Sequence, residues 1–362
     1  DRCRGEAPHY GAVDYLSFVT FFPSLVSGPI VLHASTVPQF QDETRRKFSA
    51  EGFAKGVMQF AIGLGKKVLL ADTLALAVNY GYENIASLDA PAAFVAAVGY
   101  TLELYFDFSG YSDMAIGVGK MFGIEIPENF NSPYRAVSVK DFWKRWHMTL
   151  SRFLQTYVYF PLGGSRKGKL RTFVNTMITF LVSGLWHGAN WTFVFWGFLH
   201  GLGVAAAGMA GNKKEGKSPQ GKGTQNRALR LLCQLATFSY VCMAFVFFRA
   251  DSIQDGFLLL SRIFSFRVDG KLSQMAAAME PSEIYIVTKA LSLIAPSLVG
   301  AAQIAAMMFL LAVSFFVLSR KNTVQIIERK QISFGFTLWL AFLFAWSVIS
   351  LSGVSTFVYF NF

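Results

Sequence analysis

Two short stretches of the chain place a histidine beside tryptophan in otherwise apolar sequence. His147 ends the run KDFWKRWH at residues 140–147, and His187 lies in the run GLWHG at residues 184–188. Because imidazole moves protons near neutral pH, either ring could take the proton of a hydroxyl group while that oxygen attacks an acyl carbonyl. The alternative for each is a structural histidine that hydrogen-bonds a neighbouring carbonyl or packs between helices.

The composition indicates a membrane protein. Of the 362 residues, 53% are hydrophobic and only 15% are charged, and the mean hydropathy is +0.39. Soluble chains carry about 25% charged residues. The net charge of +11 comes from short basic blocks between apolar runs, which is typical of cytoplasmic loops and disfavours a nucleic-acid-binding surface. We therefore expect an all-α, polytopic integral membrane protein that contacts lipid and not nucleic acid.

Apolar runs predict the positions of the helices. We expect a span with a kinked or re-entrant end over residues 15–32, because proline and glycine interrupt this run. Residues 41–67 contain two basic blocks and are predicted to form an amphipathic helix at the membrane surface. Residues 127–135 are predicted to form a structured loop. The remaining apolar helices are predicted over residues 68–80, 91–108, 172–187, 190–210, 229–248, 298–319 and 333–352.

A further helix is predicted over residues 139–160. On a helical wheel at about 100° per residue, aromatic and aliphatic side chains fall in one arc and basic side chains in the other. His147 falls at the boundary between the two faces, whereas Trp143 and Trp146 belong to the apolar arc. A helix that lies on the membrane surface or lines a cavity fits this pattern better than a simple span does.

Asp107 and Asp113 lie in or beside an apolar region, where an uncompensated charge costs about 2.5–3.5 kcal/mol. We expect at least one of them to pair with a basic residue or to cap a helix, with Arg135, Lys144 or Arg145 as the expected cation.

Metal chemistry is not expected. The chain has no His-Glu-x-x-His run and no second pair of residues at ligand spacing. His200, which also precedes a glycine, is predicted to make a polar contact between helices.

Basic blocks predict the orientation of the later helices. The turn at residues 165–171 and the loop at residues 211–230 are expected to face the cytoplasm, so that residues 172–210 enter the membrane and return as a hairpin. Residues 211–227 combine glycine, proline and serine with basic side chains and are predicted to be a flexible cytoplasmic loop. Residues 1–362 are otherwise interpreted as a single membrane domain.

An ordered set of motifs extends from residue 23 to residue 201, and an aromatic tail follows at residues 357–362. The motifs are PSLVSGP at 23–29, YFDFSGYSDMAIG at 105–117, ENFNSPY at 128–134, FWKRWH at 142–147, LGGSR at 162–166 and GLWHGAN at 184–190. Together they resemble the membrane-bound O-acyltransferase family, most closely its alginate O-acetyltransferase branch. Several N-terminal spans of that family have no counterpart in this chain.

The resemblance implies a ring of transmembrane and re-entrant helices around a central cavity. It implies that His187 is the principal catalytic histidine and that His147 is a second histidine in the same cavity. An acetyl group would pass from a cytoplasmic donor, acetyl-CoA, to an extracytoplasmic acetyltransferase partner and on to a polysaccharide hydroxyl. No resident cofactor is expected. The implied location is the inner or plasma membrane of a bacterial cell, crossed several times.

Other residues are predicted to surround this reaction. The cavity would be lined by the side chains Trp143, Trp146, Trp186, Asn129, Asn131, Asn190, Asp107 and Asp113. A narrow, low-dielectric tunnel would stabilise the developing oxyanion through fixed dipoles. The phosphates of CoA would be attracted by the basic turn Arg166, Lys167, Lys169 and Arg171; the alternative is that these residues only set the topology.

Several functions remain open at this point. Peptidoglycan O-acetylation and D-alanyl transfer to teichoic acid are alternatives that use the same fold. A polytopic transporter and a non-catalytic scaffold that recruits a separate acetyltransferase are alternatives without covalent chemistry.

Overall fold

The computed structural model describes residue 5 and residues 9–211, 227–329 and 333–351. Within these ranges all regular structure is helical. The predicted flexible loop, apart from its two end residues, and the predicted aromatic tail lie outside the described residues.

The first half of the chain, as far as the structure describes it, forms eight helices and several shorter turns. The helices are α1 (Ala12–Val19), α2 (Phe22–Leu25), α3 (His33–Gln41), α4 (Ala50–Gly65), α5 (Asp72–Glu83), α6 (Ala90–Met121), α7 (Val139–Trp143) and α8 (Met148–Leu154). Single turns of π-helix follow α4 at Lys66–Ala71 and α8 at Gln155–Tyr159. The residues between α6 and α7 form a loop with one 3₁₀ turn at Pro133–Arg135, as predicted.

The described part of the second half forms nine helices. They are α9 (Lys169–His187), α10 (Trp191–Gly211), α11 (Arg227–Arg249), α12 (Ile253–Ile263), α13 (Lys271–Ala278), α14 (Ser282–Ile294), α15 (Val299–Leu318), α16 (Thr323–Arg329) and α17 (Phe334–Ile349). Within the described ranges, three helical stretches are long and apolar enough to cross a membrane, namely Trp191–Met209, Arg227–Arg249 and Pro296–Leu318, and α17 is a shorter apolar helix. These positions confirm the predicted apolar segments and the membrane class of the protein.

Two glycine pairs bring α4 and α6 into close contact. A Cβ atom on Gly56 would lie 2.5 Å from the carbonyl oxygen of Gly117, and one on Gly117 would lie 2.6 Å from the carbonyl oxygen of Gly56. Gly63 and Gly110 oppose one another in the same way, at 2.6 and 2.7 Å. Small residues permit such close backbone approach in membrane helices. The two glycines of each helix are seven residues apart, which is about two helical turns, so both contacts lie on one face of each helix.

This close packing joins the predicted buried aspartates to two lysines. Lys66 Nζ lies 2.6 Å from Asp113 Oδ2, and Lys67 Nζ lies 2.6 Å from Asp107 Oδ1. All four side chains are at least nine-tenths buried. The prediction that the aspartates pair with a basic residue is confirmed.

The expected partners of the aspartates were wrong. Arg145 instead pairs with Asp141 at 2.9 Å. The predicted surface helix over residues 41–67 is also wrong. α4 and the π turn that follows it pack against α6 in the interior. The net charge of a segment does not reveal a compensating charge about 40 residues away.

Two other predicted helices are also wrong. Residues 15–32 do not form one span, because α1 and α2 have only 8 and 4 residues and the chain turns between them. The predicted helix over residues 139–160 is interrupted between α7 and α8. The interruption lies at residues 144–147, where the backbone bonds to the preceding loop: Asn131 N–H donates to Arg145 O, and Met148 N–H donates to Asn129 O, both at 2.9 Å.

α9 and α10 form a tight helical hairpin, as predicted. A Cβ atom on Gly184 would lie 2.3 Å from the carbonyl oxygen of Phe193, and one on Gly197 would lie 2.4 Å from that of Phe180. The absence of side chains at these glycines permits the helices to approach closely. The hairpin places His187, the last residue of α9, beside the first turns of α10.

Candidate active site

His147 occupies the break between α7 and α8. Its backbone lies in the left-handed region, with φ 42° and ψ 52°. Non-glycine residues adopt this conformation infrequently, and such residues concentrate at functional sites. The side chain is buried, at 3% exposure. The helical wheel predicts that His147 lies at the boundary between two helical faces, and this prediction is wrong. The break between the helices determines the orientation of the side chain instead.

The amide of Asn129 fixes the tautomer of His147. Asn129 Oδ1 accepts hydrogen bonds from the backbone N–H of Thr149 at 3.2 Å and from the Thr149 hydroxyl at 2.9 Å. A backbone N–H can only donate, so the Asn129 atom that faces it is the oxygen. The same oxygen lies 3.1 Å from His147 Nδ1. Nδ1 of the neutral ring therefore carries the proton, and Nε2 carries the lone pair of a potential base.

Asn129 is itself held in place from several directions. Its side-chain nitrogen donates to Ser112 Oγ on α6 at 3.4 Å, and its backbone oxygen accepts from Met148 N–H. Asn129 thus accepts the backbone N–H groups of Met148 and Thr149, the first two residues of α8. In other helices a capping side chain at the helix start accepts such groups. The orientation of His147 is thus coupled to both α6 and α8.

His147 lines a cavity of about 370 Å³, here named the His147 cavity. Trp186 and Phe108 also line it, and the rest of the wall comes from the chain between residues 18 and 31. Ile30 in this segment donates its backbone N–H to Thr149 Oγ1 at 3.1 Å. The segment predicted as a re-entrant span therefore contributes to the site, although it forms no single helix.

His187 is surrounded by aromatic rings. The ring centroids of Trp186, Trp196 and Phe248 each lie 5.1 Å from that of His187. The Trp186 ring also contacts His147, at a centroid distance of 6.3 Å. The structure thus brings the two predicted histidines to the same indole ring. His187 is not among the residues that line the His147 cavity.

A second, larger cavity of about 900 Å³ lies between α8, α9 and α10 and is here named the basic cavity. Its lining includes the cations Lys140, Lys144, Arg152 and Lys169. Of the basic turn predicted to attract phosphates, only Lys169 is among the lining residues. The other cations come from the basic face of the predicted 139–160 helix. Trp143 and Phe180 also contribute to the wall.

The other predicted cavity residues have different surroundings. Trp146 is 4% exposed and packs among aromatic rings, including Phe142, which stacks on it at 5.4 Å. Asn131 Oδ1 accepts from Gln325, at 3.2 Å. Asn190 precedes α10, and its side-chain oxygen accepts the N–H of Thr192, at 3.1 Å. These three side chains, and the buried Asp107 and Asp113, do not line the two cavities.

Sequence reasoning missed Thr149, Ser112, Lys66 and Lys67. Thr149 follows His147 by two residues, and a hydroxyl so close to a candidate base is a usable signal. The two lysines are consecutive in an apolar stretch, which is also unusual. The predicted helix contact of His200 is confirmed, because Trp143 Nε1 donates to His200 Nδ1 at 3.1 Å. Among the described residues there is no group of three potential metal ligands.

Comparison with known proteins identifies the family. The sequence pattern of the membrane-bound O-acyltransferase family matches residues 4–213, which is more than half of the chain. The chain belongs to this family. This membership agrees with the all-helical membrane fold and with the ordered motifs that include both histidines.

The similar proteins act on cell-surface polymers, according to their names. The chain is 43% identical over 251 residues to the peptidoglycan O-acetyltransferase of Helicobacter pylori, covering 68% of this chain and 46% of that protein. It is 39% identical over 269 residues to the probable alginate O-acetylase AlgI of Pseudomonas aeruginosa, covering 74% and 49%. The teichoic acid D-alanyltransferase of Bacillus subtilis is 30% identical over 242 residues, covering 64% and 60%. The chain thus spans about half the length of the first two relatives.

Proposed function

We propose that the protein containing this chain is a membrane O-acyltransferase that passes an acetyl group from cytoplasmic acetyl-CoA across the membrane for O-acetylation of an exported, alginate-like polysaccharide. The observation that supports this most strongly is the fixed tautomer of His147. Asn129 holds the Nδ1 proton, so the lone pair of the neutral ring lies at Nε2, in a ring that lines a cavity and contacts the same Trp186 indole as His187. Family membership supplies the reaction class.

The proposed step is acyl transfer with histidine as the proton carrier. His187, with His147 beside the same indole, removes the proton of the acceptor hydroxyl as its oxygen bonds to the carbonyl carbon of the thioester. The tetrahedral intermediate collapses, the carbon–sulfur bond breaks, and the leaving thiolate takes the proton back from the imidazolium. The products are an O-acetyl ester and free CoA, so atoms and protons balance.

The basic cavity is the proposed donor site. Four cations in its wall suit the phosphates of CoA. Its volume of about 900 Å³ is in the range of pockets that hold large small molecules. Lys169 belongs to the turn whose basic residues predict a cytoplasmic location. Arg166, Lys167 and Arg171 would then attract the donor at longer range rather than contact it.

The proposed location is the bacterial inner membrane, crossed several times. The apolar helices, the basic blocks between them and the bacterial relatives support this location. An extracytoplasmic acetyltransferase is the proposed partner, because the acceptor polymer lies outside the membrane. We also propose that the helices described above belong to one membrane domain.

Peptidoglycan is the second candidate acceptor. The 43% identity to a peptidoglycan O-acetyltransferase favours it, whereas the several similar alginate O-acetylases favour an alginate-like polymer. D-Alanyl transfer has weaker support, at 30% identity.

The test is acetate analysis of a deletion strain, complemented with the complete protein. Ester-linked acetate is measured separately on the secreted polysaccharide and on purified peptidoglycan. Loss from the polysaccharide alone supports the first candidate, and loss from peptidoglycan alone supports the second. Unchanged acetate on both polymers contradicts O-acetyl transfer, and loss of D-alanine from teichoic acid then identifies the remaining alternative.

A further inference from the structure

His200, on α10, is fully buried like His147, and its hydrogen-bond partner among the described residues is the neutral indole of Trp143. His200 is 0% exposed. The rings of Phe142, Trp143, Trp196 and Phe245 enclose it at centroid distances of 6.1, 5.2, 4.9 and 5.8 Å. Burying an imidazole in an apolar environment is unfavourable unless it forms a hydrogen bond. An apolar side chain of similar size could fill the same space, so the ring is expected to supply something that packing does not.

What His200 supplies is a hydrogen-bond acceptor. Indole Nε1 can only donate, so the 3.1 Å contact from Trp143 Nε1 to His200 Nδ1 has a defined direction. The proton of the neutral His200 ring therefore lies on Nε2, for which no acceptor is found among the described residues. This tautomer is the opposite of the one at His147. It cannot accept a proton at Nε2, which argues against a role for His200 as the base.

Trp143 connects the basic cavity with the surroundings of His187. Its indole lines the basic cavity. It also contacts Trp196 at a centroid distance of 5.8 Å, and Trp196 in turn contacts His187 at 5.1 Å. A rotation of Trp143 would therefore change the cavity wall on one side and the packing around His187 on the other.

We propose that His200 is a positioning residue for the transfer reaction: its Nδ1 atom holds the Trp143 indole in the orientation that forms the wall between the basic cavity and the rings around His187. This role rests on the proposed function. In this role Trp143 positions the acyl end of the donor, whereas the cations of the basic cavity bind the phosphates. Loss of the hydrogen bond should consequently affect turnover more than donor binding.

The test compares variants that keep or remove the acceptor. In His200→Asn, the side-chain oxygen occupies nearly the position of Nδ1 and can still accept from Trp143. His200→Leu has no side-chain acceptor for this hydrogen bond. Trp143→Phe removes the N–H group that donates it but keeps an aromatic ring. Transfer from radiolabelled acetyl-CoA is measured in membrane vesicles that contain the complete protein and its acceptor, with kcat and KM determined separately.

We expect kcat to fall about 10- to 100-fold in His200→Leu and Trp143→Phe, since small misplacements of a reacting group have effects of this size. The KM for acetyl-CoA should change less than about threefold, because the phosphate-binding cations remain. His200→Asn should retain at least about a third of wild-type kcat, and the double variant His200→Leu/Trp143→Phe should be no slower than either single variant. Ser314→Ala, at a buried site on α15, is the control and should behave like wild type.

Three results would overturn the proposal. In the first, His200→Asn loses as much activity as His200→Leu. In the second, the two single losses multiply in the double variant. In the third, Trp143→Phe retains wild-type kcat. This third result contradicts the proposal even if His200→Leu does not accumulate in the membrane. A wild-type protein that transfers no acetate is a separate result, which refutes the proposed function itself.

Discussion

Two of the regions that bury polar side chains in this protein differ in charge. Where α4 and the π turn after it pack against α6, the buried groups include two ion pairs, with Lys66 against Asp113 and Lys67 against Asp107 at 2.6 Å. Around His147, the buried groups are neutral amides and hydroxyls that hold one imidazole. Both regions contact α6, and both lie in a protein rich in apolar residues.

The difference indicates two uses of polarity in a membrane protein. A buried ion pair neutralises itself, so it fixes two helices together but leaves neither charge available for a ligand. A neutral network holds a titratable ring without neutralising it by a counter-charge, so the ring keeps the ability to accept a proton. We therefore propose that the α4–α6 region serves stability and the histidine region serves chemistry.

The largest expected effect on stability is that of Asp113→Ala. Its removal leaves Lys66 as an unpaired buried charge, which should lower the free energy of unfolding by about 3–5 kcal/mol. Asp269→Ala is the matched control, because it breaks an exposed pair with Arg267, a contact worth at most about 1 kcal/mol. Thermal unfolding in detergent measures both. If Asp113→Ala unfolds like wild type but loses transfer, Asp113 belongs to the active site.

An intermediate effect, larger on activity than on stability, is expected for Asn129→Ala. This variant removes the oxygen that fixes the His147 tautomer, so transfer should fall about 100-fold, the lower range of general acid–base contributions. Asn131→Ala is the control, because that side chain contacts Gln325 and not His147. Equal acetate transfer by the two variants would contradict the tautomer argument.

The smallest effect is expected at Glu328 on α16. The hydrogen bond from Lys120 holds the pKa of the Glu328 carboxyl below its usual value. A lowered pKa in the folded protein stabilises it above the pKa of the unfolded chain, and this stabilisation disappears as the pH falls through the lowered value. Glu328 is about half exposed, so Glu328→Gln should cost less than about 1 kcal/mol at neutral pH.

Thermal unfolding as a function of pH tests this last prediction. The difference between wild type and Glu328→Gln should shrink as the pH is lowered past the ordinary carboxyl value of about 4.3. A difference that grows on acidification would mean that the Lys120 contact does not stabilise the folded protein.

The same comparison explains what could be predicted from the sequence. Apolar length and periodicity located α9, α10, α11, α15 and α17, because a helix in a membrane must be apolar over most of its length. The motifs located both histidines. Partners of Asp107 and Asp113 could not be predicted, because the α4–α6 contact depends on glycine backbones that meet only in three dimensions. The break before α8 could not be predicted either. The helical pattern of the sequence is good there, but backbone hydrogen bonds to the loop at residues 129–131 interrupt the helix.

We propose that His187 carries the proton in acyl transfer and has no comparable role in stability. The most direct measurement is the ester-linked acetate on the exported polymer in a strain whose only copy of the complete protein carries His187→Ala, relative to the amount of that protein in the membrane. We predict that acetate falls to the level of the deletion strain while the variant protein accumulates normally. Wild-type acetate at normal protein abundance would contradict the claim.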